Sequence, residues 1–177
     1  ITSQETTIIH LANAAYPSIV KRGGGARRLR CEHIENFLIV YLTVDTKEAM
    51  GANMVNTMME AISDYLEELS SGKRLMAILS NYATEALVTA KCRVNLRFLS
   101  QNPKEAASLA QKITLASQLS QADPYRATTH NKGIFNGIDA IVLATGSDWR
   151  AIEAGGHAFA SQNGQYKGLS KWEYQDG

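Results

Sequence analysis

The sequence predicts an α+β protein in two parts: a small domain of antiparallel sheet and helix over residues 1–80, joined to a largely helical part over residues 81–177. Three observations carry this reading. Residues 1–80 present, in order, a helix, two strands, a helix and a strand, a sequence of elements that suits helices laid on one face of an antiparallel sheet. From Asn81 onward the chain turns Ala-rich and helical in period. No GxGxxG stands between a strand and a helix, so the first part does not read as a Rossmann unit; the label that goes with its expected architecture is ferredoxin-like.

The elements follow from local signals. Residues 4–15 have helical composition, and Tyr16-Pro17 is a stop, because proline disfavours helix in the residue before it. Lys21-Arg22-Gly23-Gly24-Gly25 then forces a turn. Arg28 to Ile34 alternates in polarity and Phe37 to Val44 is a nearly continuous apolar run, which together predict a hairpin with the second strand central. After Met50-Gly51-Ala52-Asn53 the period changes: Val55, Met58, Met59, Ile62, Leu66 and Leu69 share one helical face up to Ser71-Gly72. Arg74 to Leu79 reads as a third, short strand. Beyond it, residues 103–121 form a helix with Pro103 at its first turn, closed by Asp123-Pro124. Two further helices are expected over roughly 130–145 and 147–162, with Ser147 or Asp148 as cap of the last.

Composition excludes several classes. An apolar fraction of 45% in 177 residues is that of a packed protein, and 18 basic against 17 acidic residues leave no global field toward nucleic acid or an anionic membrane. No apolar run has the length of a membrane span, and ITSQETT lacks the features of a signal peptide, so a cytoplasmic protein is expected. Cys31 and Cys92 show no ligand spacing and are read as reduced, buried thiols; the four histidines are scattered, and no metal is expected.

Chemistry concentrates in Arg126-Ala127-Thr128-Thr129-His130-Asn131-Lys132-Gly133-Ile134, followed by Asn136-Gly137-Ile138-Asp139, and in Ala144-Thr145-Gly146-Ser147-Asp148-Trp149-Arg150-Ala151. A lysine and an aspartate on neighbouring helical elements, flanked by small residues, can form a buried ion pair, costly to desolvate and so kept where it has a role. A structural salt bridge is the alternative. Glu48-Ala49-Met50-Gly51-Ala52-Asn53 sets a glycine at a helix start, where backbone N–H groups and the helix dipole can meet a pyrophosphate; the alternative is a plain helix start. Ser80, His130 and Asp148 do not make a hydrolase triad, for there is no G-x-S-x-G elbow.

ATTHNKGIFNGIDA and LATGSDWRAIEAG resemble the active-site motifs of class II (bacterial-type) HMG-CoA reductases, EAMGANMVNTMMEA resembles that family's nicotinamide-binding segment, and SNYATEA the strand end that carries its active-site asparagine. The four motifs stand in the family's order. The resemblance implies that residues 1–80 are the NAD(P)-binding small domain and 81–177 part of the catalytic domain. It implies Lys132 as the catalytic lysine that stabilises the oxyanion formed at the thioester carbonyl, Asp148 as its ion partner and Asn81 as a member of the same network. Arg126 and Thr129 match positions that hold the carboxylate end of the substrate, and Glu48, Met50, Gly51, Ala52 and Asn53 the coenzyme. Glu48 stands where the family usually has Asp.

NADPH is expected over NADH. At the position where an NAD-preferring member carries an acidic residue this chain has Tyr16, with Ser18, Lys21 and Arg22 close behind, a setting that suits a 2′-phosphate; an ordinary solvated loop is the alternative. His157, Trp149 and Trp172 read as packing residues. The resemblance further implies HMG-CoA as substrate, a homodimer with the active site at the subunit interface, and no nucleic-acid or membrane partner. The family's catalytic Glu and His motifs do not occur here, so the sequence reads as an interior excerpt, inactive by itself. A catalytically silent nucleotide-binding or regulatory module of the same fold is the competing reading.

Overall fold

The computed structural model describes residues 1–175. The chain folds as two compact units, Ile1–Ser80 and Asn81–Gly177.

In the first unit a single 3-10 turn leads into α1 (Glu5–Ala15) and the short α2 (Pro17–Lys21), followed by β1 (Gly25–Ile34), β2 (Phe37–Asp45) and α3 (Ala52–Ser70). Tyr16 leaves the helical region at φ −137°, as the residue before a proline does, but Pro17 then starts a helix of its own. The strands pair antiparallel across Glu35-Asn36, with Leu29 opposite Leu42 and Cys31 opposite Val40; a bulge between Ala26 and Arg28 keeps Ala26 and Leu29 on the same inner face. That face and the helices enclose one core: Ile8, Ala12, Ile19, Ala26, Leu29, Met54, Met58 and Ile62 are buried, and Val40, Leu42 and Val44 pack against them. Asn13 on α1 fixes the start of β1, accepting from the Ala26 N–H at 2.7 Å and donating to the Ala26 carbonyl at 3.3 Å.

Two sequence expectations are corrected here. Arg74–Leu79 is not a strand, and among the described residues the sheet has two strands, so Phe37–Asp45 is not central. A strand needs a partner's backbone groups, and among the described residues none is offered to this segment. Leu75, Met76 and Ile78 are instead 73%, 68% and 60% exposed. The stretch is held at points: the Leu79 N–H donates to Asn56 Oδ1 at 2.9 Å, and Arg74 reaches Asp64 at 3.1 Å. Residues 73–95 carry no regular secondary structure beyond a turn at 84–85.

The second unit holds a 3-10 turn (Leu96–Phe98) and three helices, α4 (Pro103–Ala122), α5 (Pro124–Ala144) and α6 (Trp149–Ala160). Each begins at a side-chain cap: Asn102, Asp123 and Asp148 accept from backbone N–H groups of the first turn, and α4 and α5 add proline at the first helical position. Asp123 closes α4 and opens α5 at once. Hence α5 starts at Pro124, not near 130, and carries Arg126 and Thr129 on its first two turns. The core is made of small side chains, Ala106, Ala110, Ala127, Ala160, Ser117 and Ser120, around Phe135 and Asn131. Asn131, fully buried, binds the segment after α6: it donates to the Lys167 carbonyl at 2.9 Å and accepts from the Leu169 N–H at 2.8 Å.

Both cysteines are free thiols, but only Cys31 is shielded, and partly; Cys92 is exposed on the irregular stretch and corrects the expectation of burial. No helix among the described residues is long and apolar enough to cross a membrane.

Candidate functional site

In the first unit the turn after α2 and the loop after β2 meet, although more than twenty residues separate them. Gly24 lies so close to β2 that a Cβ there would come within 2.6 Å of the Asp45 carbonyl, and the Lys47 side chain passes over Gly23. Asp45 joins the two, taking Lys47 at 3.0 Å and Arg27 at 3.4 Å. The hydrogen bonds from Lys47 are the main cause that holds the Asp45 carboxyl below its ordinary range. Lys21, Arg22 and Ser18 are exposed on the same turn and helix.

The loop then enters α3 through Gly51, at φ +88° a left-handed residue, where a Cβ would also strike Thr46 at 2.6 Å. No side chain caps α3. Its first N–H groups therefore stay available to an anion, with the positive end of a 19-residue helix behind them. Glu48, Asn53 and Met50, the last 65% exposed, surround this end, and Ala52 is half-buried at its first position. The residues expected to hold the coenzyme thus fall in two adjoining segments of one unit. Tyr16 does not join them openly; it packs half-buried against the core. Sequence reasoning missed Arg27 and Lys47, for which the only signal was their place beside the two turns.

In the second unit a cleft of about 220 Å³ runs between α5 and α6, lined by Thr128, Lys132, Phe135, Asn136 and Asp139 on one side and Glu153 and His157 on the other. The α5 residues recur at helical spacing and form one stripe. Lys132 is exposed at this cleft. Arg126, half-buried, and Thr129, exposed, lie on the same helix six and three residues earlier. The Phe135 and His157 rings lie 4.7 Å apart, and His157 Nδ1 is 2.7 Å from the Tyr166 hydroxyl. His157 was expected only to pack between helices; it does touch Phe135, but it also lines the cleft.

The expected buried ion pair is not formed. Asp148, half-buried, accepts from the Arg150 and Ala151 N–H groups at 3.1 and 3.2 Å as the cap of α6, and its ion partner is Arg150 at 3.7 Å. The capping geometry fixes the carboxylate at the helix end while Lys132 stands out from α5. Asn81 reaches α6 through its backbone, its carbonyl lying against Gly155. His130 turns away to Ser170 Oγ at 2.8 Å; burial, and secondarily the charge of Arg126, lower its pKa below 6.5. The sequence singled out the stretches that hold Thr128, Asn136 and Asp139 without giving these residues a role, and Phe135, Glu153 and Tyr166 were passed over. The stripe through Lys132 on α5 was the signal that could have found four of them.

Comparison with known proteins gives a consistent answer. The profile of the family described as Hydroxymethylglutaryl-coenzyme A reductase matches residues 1–177. A 3-hydroxy-3-methylglutaryl-coenzyme A reductase of Archaeoglobus fulgidus is 41% identical over 177 residues, spanning 98% of this chain and 39% of the relative. A probable enzyme of the same name from Borreliella burgdorferi is 39% identical over 158 residues, 88% of this chain and 37% of its own. Among solved structures, a Streptococcus pneumoniae 3-hydroxy-3-methylglutaryl-coenzyme A reductase is 64% identical with a TM-score of 0.93, over 98% of this chain and 42% of that one. A second, described as the class II enzyme of that organism bound to NADPH in open conformations, gives 64% and 0.93 over 98% of this chain and 48% of its own. The chain spans about two fifths of the curated relatives it matches. With the match running from its first residue to its last, this chain belongs to the hydroxymethylglutaryl-coenzyme A reductase family, in its class II form.

Proposed function

We propose that the full-length protein carrying this chain reduces HMG-CoA to mevalonate and coenzyme A, a four-electron reaction that consumes two NADPH. The observation that carries the reading is the α5–α6 cleft, in which Lys132 faces a cavity of about 220 Å³ with Arg126 and Thr129 on the preceding turns of the same helix. A lysine ammonium in such a cleft is suited to stabilise the negative charge that develops on a thioester carbonyl oxygen, and again on the aldehyde oxygen of the second reduction. Arg126 supplies a planar fork for the carboxylate end of the substrate, with the Thr129 hydroxyl beside it. Asn81 and Asp148 border the same helix pair and complete the polar surround, Asp148 by turning from its capping role toward Lys132.

The bound coenzyme supplies hydride. The uncapped start of α3 at Gly51, Ala52 and Asn53 suits its pyrophosphate, and Lys21, Arg22 and Ser18 suit a 2′-phosphate, which favours NADPH over NADH. The Streptococcus pneumoniae structure described as bound to NADPH supports this choice. The reading includes a homodimer with the active site at the subunit interface and a cytoplasmic location, both carried by the family.

The test is coenzyme oxidation by the full-length protein with HMG-CoA, followed by absorbance. Two NADPH oxidised per CoA released is the expected result. In Lys132→Ala reduction is abolished while NADPH still binds, since the change removes oxyanion stabilisation and no coenzyme contact. Lys21→Ala with Arg22→Ala raises KM for NADPH more than for NADH. No oxidation with either coenzyme by a folded protein turns the reading to a silent nucleotide-binding module.

A further inference from the structure

We infer that Asp139 is a positioning residue for Lys132, acting through the carboxamide of Asn136. Among the described residues, Asp139 Oδ1 is the one buried side-chain oxygen or nitrogen that has no hydrogen-bond partner. A carboxylate oxygen cut off from water and from any donor is costly, so such an atom calls for a donor in the working state. Asp139 lines the same cleft as Lys132. Lys132 brings three N–H donors to it, and no carboxylate among the described residues lies within ion-pair distance of its Nζ.

The two cannot meet directly, since seven residues along a helix are about 10.5 Å of rise. Asn136 lies between them, four residues after Lys132 and three before Asp139, the spacings at which helix side chains are neighbours. It also lines the cleft. A carboxamide fits this place because it is donor and acceptor at once: its N–H donates to Asp139 Oδ1, which turns its oxygen toward Lys132 to accept from the ammonium. The carboxylate thereby sets the amide's orientation, and the amide holds the ammonium in the cleft instead of in solvent.

The other groups facing this line do not replace it. On α6, His157 is engaged at Nδ1 by Tyr166, and Glu153 lines the cleft but forms no ion pair with Lys132. At the start of α6, Asp148 caps the helix and pairs with Arg150, and if it turns to Lys132 it takes one of the three ammonium N–H groups and leaves another for Asn136. The effect on turnover rests on the function proposed above; the relay itself does not.

The experiment is made on the full-length protein with two readouts. The first is the rate at which an amine-acylating reagent labels Lys132, followed by peptide mass spectrometry with Lys104 as internal reference. The expected result is several-fold faster labelling of Lys132 in both Asp139→Asn and Asn136→Ala, with Asp139→Glu close to wild type. The second is turnover, where kcat in Asp139→Asn falls about tenfold while KM for HMG-CoA changes by less than about twofold. Unchanged labelling in both Asp139→Asn and Asn136→Ala overturns the inference. Should Asp139→Asn fail to fold, unchanged labelling in Asn136→Ala alone overturns it. Faster labelling in a protein that oxidises neither coenzyme upholds the relay and defeats the reductase reading.

Discussion

The carbonyl oxygen of Asn81 lies where a side chain at position 155 would begin: a Cβ on Gly155 would come within 2.7 Å of it. The neighbouring Gly156 does the same for Phe135, whose ring would meet a Cβ at 2.5 Å. The glycine pair in Ala-Gly-Gly-His is therefore a seat for one backbone and one ring, and it keeps Asn81 beside α6. Replacing Gly155 by Ala must push Asn81 off the helix, at a cost of about 1–3 kcal/mol for overpacking. On α5 the opposite holds, for Gly133 has nothing within 4 Å of its missing Cβ. Gly133→Ala is expected to stabilise the chain by about 0.5–1 kcal/mol through helix propensity. Denaturant midpoints of the two variants should move in opposite directions.

Asn131 is the second test of stability. Its amide serves two backbone groups of the segment after α6, the Lys167 carbonyl and the Leu169 N–H. Asn131→Leu leaves both without that partner, beside a side chain that is itself fully buried. The loss is expected to be about 2–6 kcal/mol at most, from the usual cost of about 1–3 kcal/mol for one unsatisfied buried group taken twice. Denaturant unfolding gives the magnitude, and amide exchange at Leu169 shows whether that segment is what has come loose.

His130 makes stability depend on pH. Its folded pKa lies below the unfolded value of 6.5, by burial and then by Arg126, so the unfolded chain takes up the proton more readily. The stability due to the neutral ring is present above pH 6.5 and is lost as pH falls from there toward the folded pKa, below which it changes no further. Unfolding free energy should therefore decline from pH 7.5 to 5, and His130→Gln should flatten that decline. An unchanged slope in the variant would assign the effect to another group.

Most elements were legible where a local cause decided them. Proline at the first turn of α4, the period change at Gly51 and the alternation of β1 are written in neighbouring residues, and the structure follows them. Arg74–Leu79 was misread because strand character is a property of two segments, and its own apolar pattern says nothing of a partner. The start of α5 was misplaced because Asp123-Pro124 ends one helix and begins the next, while only the ending was read. For the candidate site, four motifs singled out Lys132, Arg126, Thr129, Asn81 and Asp148 by resemblance. They could not give the facing geometry, in which Asp148 binds its own helix end and Asp139 lines the lysine's cleft.

The irregular stretch over residues 73–95 has a practical consequence for proteolysis. Lys91 and Arg93 are exposed there, outside any helix or strand, while Arg74 is tied back to Asp64 and Lys73 stands next to it. Trypsin cleaves where the backbone can be drawn extended into its cleft, and helices resist it. A brief digest of this chain should cut first at Lys91 and Arg93, separating an amino-terminal piece that retains the core around Met58 and Ile62 from a carboxyl-terminal piece that retains α4, α5 and α6. The size of the first two peptides to accumulate would show that the irregular stretch, some ten residues beyond the boundary at Ser80, is the first part of the chain to yield.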